Sequence, residues 1–242
     1  MIPTSALTFF AALAIAFVLT PAARDLALRL KILDQPHPRK IHLSPKPLLG
    51  GAAIYLSVIL SLLLTVGEQS LGQAIVLTAA ATLLVAVGLA DDFFSVNARL
   101  KLFVAIPLAG LILALGGFRI TSLPFDNLLE DSANVALFLS YLITISWVVV
   151  ITSAFAILDH MDGLCAGLAA LASCFFLVFA LTQSQLLASV LSAATLGSSL
   201  GFLKWNFKPA AIFMGDSGAM FVGLMMFMEY IYANMLLNFC LS

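Results

Sequence analysis

The feature that most restricts this chain is the recurrence of long apolar runs from one end to the other. Eight occur, at approximately 5–23, 48–66, 71–90, 102–118, 135–157, 164–182, 185–203 and 218–238. As a helix, a run of roughly 17–25 residues crosses a hydrocarbon layer about 30 Å thick. Lipid offers an unpaired backbone amide nothing to bond, so such runs must be helical. With 62% hydrophobic residues, 10% charged residues and a mean hydropathy of +1.12, an ordinary soluble domain is excluded. The expected fold is all-α: a polytopic transmembrane helical bundle of about eight spans. No repeat, linker or low-complexity tract divides residues 1–242, which read as a single transmembrane domain.

Charge placement gives the bundle a direction. Of the eleven Lys and Arg residues, Arg24, Arg29, Lys31, Arg39, Lys40 and Lys46 follow span 1, Arg99 and Lys101 follow span 3, and Lys204 and Lys208 follow span 7. Only Arg119 falls on the opposite side. The positive-inside bias therefore predicts cytoplasmic connections after odd-numbered spans and an N-terminus outside. The first run has no preceding Lys or Arg and reads as an anchor, although Pro21-Ala22-Ala23 resembles a weak cleavage site. The segment RDLALRLKIL at 24–33 fits a helix continuing span 1 into the interface. The outer connection from Phe118 to Asn134 reads as a solvated loop without chemistry. Cys165, Cys174 and Cys240 lack any CxxC spacing and read as small apolar filler.

Five acids following spans 3, 5 and 7 land on the basic side: Asp91 and Asp92, Asp159 and Asp162, and Asp216 in IFMGDSGAMFVG. Even-numbered spans begin on this side, so their N-termini direct free amides and positive dipole ends towards those acids. Gly50-Gly51, Gly163, and Gly215 with Gly218 mark three such entries, where a missing side chain would let a phosphate oxygen approach the backbone. Arg39, Lys40, His42, Lys46 and Lys101 add mobile positive charge. Carboxylates and phosphates share a site when a divalent cation lies between them, and an oxygen-rich set without clustered Cys or His suits magnesium, with manganese as the alternative. Asp216 then holds a metal shared with a diphosphate. On a continuous helix Asp159 and Asp162 would share a face. The competing view is that each acid simply ends a span among lipid headgroups. Glu229, inside span 8, snorkels, protonates or faces a cavity.

The strings DQPHPRKIH at 34–42, GLADD at 88–92 with Lys101, LDHMDGL at 158–164, and GFLKWN at 201–206 running on through IFMGDSG resemble the polyprenyl-phosphate N-acetylhexosamine-1-phosphate transferases. The resemblance covers roughly residues 30–225. It is strongest to the undecaprenyl-phosphate GlcNAc-1-phosphate transferase branch. It implies transfer of a sugar 1-phosphate from a UDP-sugar to undecaprenyl phosphate, with release of UMP, for cell-envelope polysaccharide synthesis. The implied setting is the cytoplasmic face of the bacterial inner membrane, with magnesium as cofactor. Implied partners are undecaprenyl phosphate, the UDP-sugar, membrane lipid and a second copy in a homodimer, with no nucleic acid. Carried over position by position, Asp91, Asp92 and Asp162 are the catalytic candidates and Asp216 the metal ligand. Lys40, His42, Lys101, Ser153, Asp159 and Asn206 are the substrate-binding candidates.

This chain departs from the family pattern in two places. Ser153 and Ala156 stand where the central motif carries asparagines, and His160 stands where it carries glycine, so amide groups are lost and the histidine is expected to crowd the site. The family's later spans and His-rich loop have no counterpart through Ser242, which gives the alternative of a truncated or degenerate member acting as a non-enzymatic membrane protein. A transporter is a third reading, disfavoured because the acids lie at span ends, whereas coupled-ion sites lie near the midplane.

Overall fold

The computed structural model describes residues 2–35, 44–67, 70–94, 96–121 and 133–241, with side chains through residue 233. The main helices are α1 (Ile2–Leu30), α2 (Gly50–Thr65), α3 (Leu71–Phe94), α5 (Ile106–Leu115), α6 (Ala133–Leu158), α7 (Leu164–Thr182), α8 (Leu186–Asn206) and α9 (Gly215–Leu241). A short α4 (Ala98–Leu100) and a π-helical turn, Lys101–Ala105, lead straight into α5. Each expected span thus corresponds to a helical rod, and among the described residues six helical stretches are long and apolar enough to cross a membrane. α2 is shorter, beginning at Gly50 after β2 and the irregular residues Leu48 and Leu49.

The charged segment after span 1 continues the same helix as far as Leu30, as expected. A two-stranded antiparallel pair, β1 (Leu33–Asp34) with β2 (Lys46–Pro47), then brings the chain back towards α2. On the opposite end, residues 118–121 are not merely a solvated loop. Phe118 and Ile120 are buried, Ile120 N–H donates to Thr144 Oγ1 at 2.9 Å, and Ser140 Oγ donates to the Ile120 carbonyl. Residues 122–132 of that connection lie outside the described set.

α9 is the axis of the molecule, packed by α2, α3, α6, α7 and α8. It is apolar all round, as a helix enclosed by others must be: Met220, Phe221, Leu224, Met225, Phe227 and Met228 are essentially inaccessible. α1 packs on α8 through small residues. A side chain on Gly197 or Gly201 would meet the Phe9 or Leu13 carbonyl at 2.3 and 2.6 Å. Close backbone approach of this kind replaces the hydrophobic driving force that lipid-facing helices lack.

Glu229 is enclosed at 2% exposure. Its Oε1 accepts a hydrogen bond from Ser173 Oγ at 3.0 Å, joining α9 to α7. Of the three fates open to it from sequence, snorkelling is excluded. Glu229 sits with Ser192 and Tyr232 along a crevice with no room for a water molecule.

Candidate active site at one end of the bundle

α3 extends one turn beyond its apolar run and carries Asp91 and Asp92 to the end of the bundle where α9 begins. The residues leading into α9, Phe213 and Met214, have no side-chain acceptor for the first amides of the helix. Asp92 supplies it from α3. Its Oδ1 accepts from the Asp216 amide at 3.0 Å, and its Oδ2 accepts from Ser217 Oγ at 2.8 Å and the Ser217 amide at 3.4 Å.

Lys101 opens the π-helical turn, an irregularity that often marks functional sites, and directs its ammonium between two carboxylates. It donates to Asp91 Oδ2 at 2.9 Å and, more closely still, to Asp216 Oδ2. The Lys101 and Asp91 side chains are 17% exposed and Asp216 39%, so the arrangement opens to solvent on the Asp216 side. The partner that Asp216 lacks locally is therefore Lys101, 115 residues away in sequence.

Asp159 joins the same cluster, accepting a hydrogen bond from the Gly215 amide. Burial, reinforced by the Asp216 and Asp92 carboxylates, pushes its pKa up to about 8 despite that bond. Asp162 does not share its face, contrary to the helical spacing. α6 ends at Leu158 and a turn follows, with Gly163 left-handed at φ +74°. Asp162 is exposed and accepts from the Ala210 amide at 3.0 Å.

Asn206 is buried and bonded at both ends. Its Oδ1 accepts from the Gly163 amide and its Nδ2 donates to the Ile212 carbonyl, both at 3.0 Å. Asp162 and Asn206 together hold the segment 207–214 against the α6–α7 turn. Ser153 Oγ is enclosed without a hydrogen-bond partner, and Ala156 packs against the core. His160 does not crowd the cluster: its ring is exposed, with Nδ1 2.6 Å from the Ile157 carbonyl. Lys40 and His42 lie outside the described residues.

The glycines at the helix entries need a different explanation from phosphate approach. The Gly50 and Gly51 amides donate to the Phe213 and Met214 carbonyls at 3.1 and 2.7 Å, and the Gly163 amide is taken by Asn206. A Cβ on Gly51 would lie 2.1 Å from the Gly218 nitrogen, and one on Gly88 would lie 2.3 Å from Ser217 Cα. These glycines let α2, α3 and α9 touch backbone to backbone.

One contributor was not singled out from sequence. Ser217 bridges α9 to Asp92, and the missing cap before Gly215 was the signal that an acceptor had to come from elsewhere. Lys46, expected to add mobile positive charge, instead donates to the Ala210 carbonyl at 2.6 Å, bracing the same segment that Asp162 holds.

The bundle end thus assembles Asp91, Asp92, Asp159 and Asp216 around one lysine from α3, the π turn, the end of α6 and the start of α9. Among the described residues no group of three or more His, Cys, Asp or Glu side chains is arranged as a ready-made metal shell. Comparison with known proteins places this arrangement. The family model for glycosyl transferase family 4 matches residues 74–234. A probable undecaprenyl-phosphate N-acetylglucosaminyl 1-phosphate transferase of Bacillus subtilis is 32% identical over 216 residues, which cover 89% of this chain and 59% of that protein. A decaprenyl-phosphate N-acetylglucosaminephosphotransferase of Mycolicibacterium smegmatis is 33% identical, over 91% of this chain and 58% of its own length. A phospho-N-acetylmuramoyl-pentapeptide-transferase of Bacillus cytotoxicus is 28% identical, over 92% and 72%. The chain spans about three-fifths of the length of the first two of these relatives. The matched region contains the whole acidic cluster and the helices that assemble it, and on that match this chain belongs to glycosyl transferase family 4.

Proposed function

We propose that this chain carries out transfer of a sugar 1-phosphate, GlcNAc 1-phosphate foremost, from a UDP-sugar to undecaprenyl phosphate at the cytoplasmic face of the bacterial inner membrane. The observation that carries this reading is the Asp91–Lys101–Asp216 arrangement: cation and carboxylates held together at one end of the bundle and open to solvent on the Asp216 side. In the reaction an oxygen of the lipid phosphate attacks the phosphorus bonded to the sugar, and the bond from that phosphorus to the UMP oxygen breaks. Phosphoryl transfer of this type depends mainly on positioning and charge neutralisation.

Lys101 neutralises charge between the two phosphates and moves from Asp216 towards an incoming oxygen. Asp91, paired with that lysine, is the acid placed to take a proton from the acceptor. Asp162 and Asn206 position the 207–214 segment that leads to Asp216. The donor set suits magnesium or manganese. It is all oxygen, and the ammonium lodged between Asp91 and Asp216 supports a place for positive charge there. A metal using one or two carboxylates and completing its shell with substrate oxygens and water needs no larger protein shell. Asp216 would hold it, and it would polarise the phosphoryl oxygens. The assembled cluster favours this reading over a non-enzymatic member. Membranes containing the chain, given labelled UDP-GlcNAc, undecaprenyl phosphate and magnesium, are expected to form a lipid-linked product. Absence of product where a relative gives one overturns the proposal.

The raised Asp159 carboxyl adds a prediction. With its pKa near 8 it is mostly protonated at neutral pH, and a divalent cation held by the neighbouring Asp216 favours the anion, so metal binding is coupled to loss of that proton. Mn²⁺ affinity, followed by electron paramagnetic resonance, is expected to rise by up to about 25-fold between pH 6.5 and 8.5, the limit that linkage sets for full release of one proton from a group with that pKa. In Asp159→Asn the rise should vanish.

A further inference from the structure

We propose that Asp92 is a positioning residue: it caps the N-terminus of α9 from the neighbouring helix α3 and so fixes the direction of the Asp216 carboxylate. Adjacent residues on a helix point about 100° apart. Asp91 and Asp92 accordingly diverge, the first to Lys101 and the second to the start of α9. Both Asp92 oxygens are engaged by donors of α9, the Asp216 amide on one and the Ser217 amide and hydroxyl on the other. None of these donors belongs to a side chain that a substrate would replace.

Asp159 takes the Gly215 amide, and sequence and packing leave the Asp216 and Ser217 amides no cap but Asp92. Phe213, Met214 and Gly215 offer no side-chain acceptor, and the Gly88–Ser217 contact closes the space beside the first turn. Gly215 has φ +76°, and a Cβ there would lie 2.8 Å from Asp92 Oδ2 and 2.8 Å from the Leu48 carbonyl. A left-handed glycine, a capping acid on another helix and a serine that returns to that acid together lock the backbone on either side of Asp216. The paired acids therefore divide the work, with Asp91 facing the reacting groups and Asp92 facing the scaffold. The catalytic consequence rests on the proposed function; the cap itself does not.

The test compares the full chain with Asp92→Asn and Asp92→Ala in detergent. Asn keeps an acceptor for the Asp216 amide and turns its NH₂ towards Ser217 Oγ, whereas Ala leaves the amides uncapped. Hydrogen exchange of the peptide spanning 212–220 is expected to be slow in the parent and in Asn, and at least about tenfold faster in Ala, the scale of losing a charged hydrogen bond. Transfer should follow the same order, with Asn recovering at least about tenfold over Ala. Equal exchange in all three proteins, or an Asn variant as inactive as Ala with its exchange still slow, overturns the inference and returns Asp92 to the reacting centre. If the parent makes no product, the proposed function fails while the exchange order still decides the cap. If Ala does not fold, faster exchange in Ser217→Ala than in the parent supports the cap and equal exchange overturns it.

Discussion

Replacing Gly51 by alanine is expected to abolish most of the folded, detergent-extractable protein, the largest stability effect the structure predicts for a single methyl group. The added Cβ would lie 2.1 Å from the Gly218 nitrogen, 2.4 Å from Gly218 Cα and 2.6 Å from Ser217 Oγ. Two of the three are backbone atoms, so no flexible side chain can yield. α2 and α9 would have to separate by more than an ångström, which also breaks the 2.7 Å bond from the Gly51 amide to the Met214 carbonyl. Overpacking alone costs about 1–3 kcal/mol, the lost buried bond adds about 1 kcal/mol, and α9 is the helix against which most others pack. Helix propensity argues for the opposite sign, since alanine is favoured over glycine by roughly 1 kcal/mol. The clash is the larger effect. Gly72→Ala provides the control: it lies in α3 with nothing within 4 Å of the added carbon, and should be neutral or slightly stabilising. The apparent melting temperature by fluorescence-detected size exclusion would separate the two. Equal values for Gly51→Ala and the parent would mean that α2 and α9 do not meet as described.

That contrast also explains what could be read before the fold was known. Spans are legible because lipid imposes one requirement on every residue in them, and each expected run became a rod. The gathering of Asp91, Asp92, Asp159 and Asp216 at one end follows from the alternation of spans. What could not be read is which group each atom meets. Lys101 and Asp216 pair across 115 residues, and no local pattern encodes that register. Glycine is ambiguous for a related reason: Gly51 and Gly218 need to lack a side chain whether a phosphate or another backbone approaches, and the sequence does not distinguish the two. Asp159 and Asp162 part because α6 stops at Leu158 and the chain turns through a left-handed Gly163. An i,i+3 argument holds only while the helix continues.

Asp216→Asn and Lys101→Met are both expected to remove transfer, but by opposite effects on the cation. Asn at 216 is isosteric and retains its amide bond to Asp92, so α9 should start as before. It lacks the negative charge that holds a divalent ion against the phosphates, and neutralising developing charge is usually the largest single contribution to such a reaction. Loss of about 10³-fold or more in rate is expected on that basis, with Mn²⁺ affinity falling in parallel. Met at 101 removes the ammonium that sits between Asp91 and Asp216. The two carboxylates then face one another without a counter-charge, so Mn²⁺ should bind more tightly than in the parent. The rate should nevertheless fall by about 10²-fold or more, because the positive group facing the phosphates has gone. Electron paramagnetic resonance titration with Mn²⁺ reads the two affinities directly. Weaker Mn²⁺ binding in both variants would show that Lys101 supports the metal rather than occupying its place, and unchanged transfer in Asp216→Asn would remove Asp216 from the chemistry altogether.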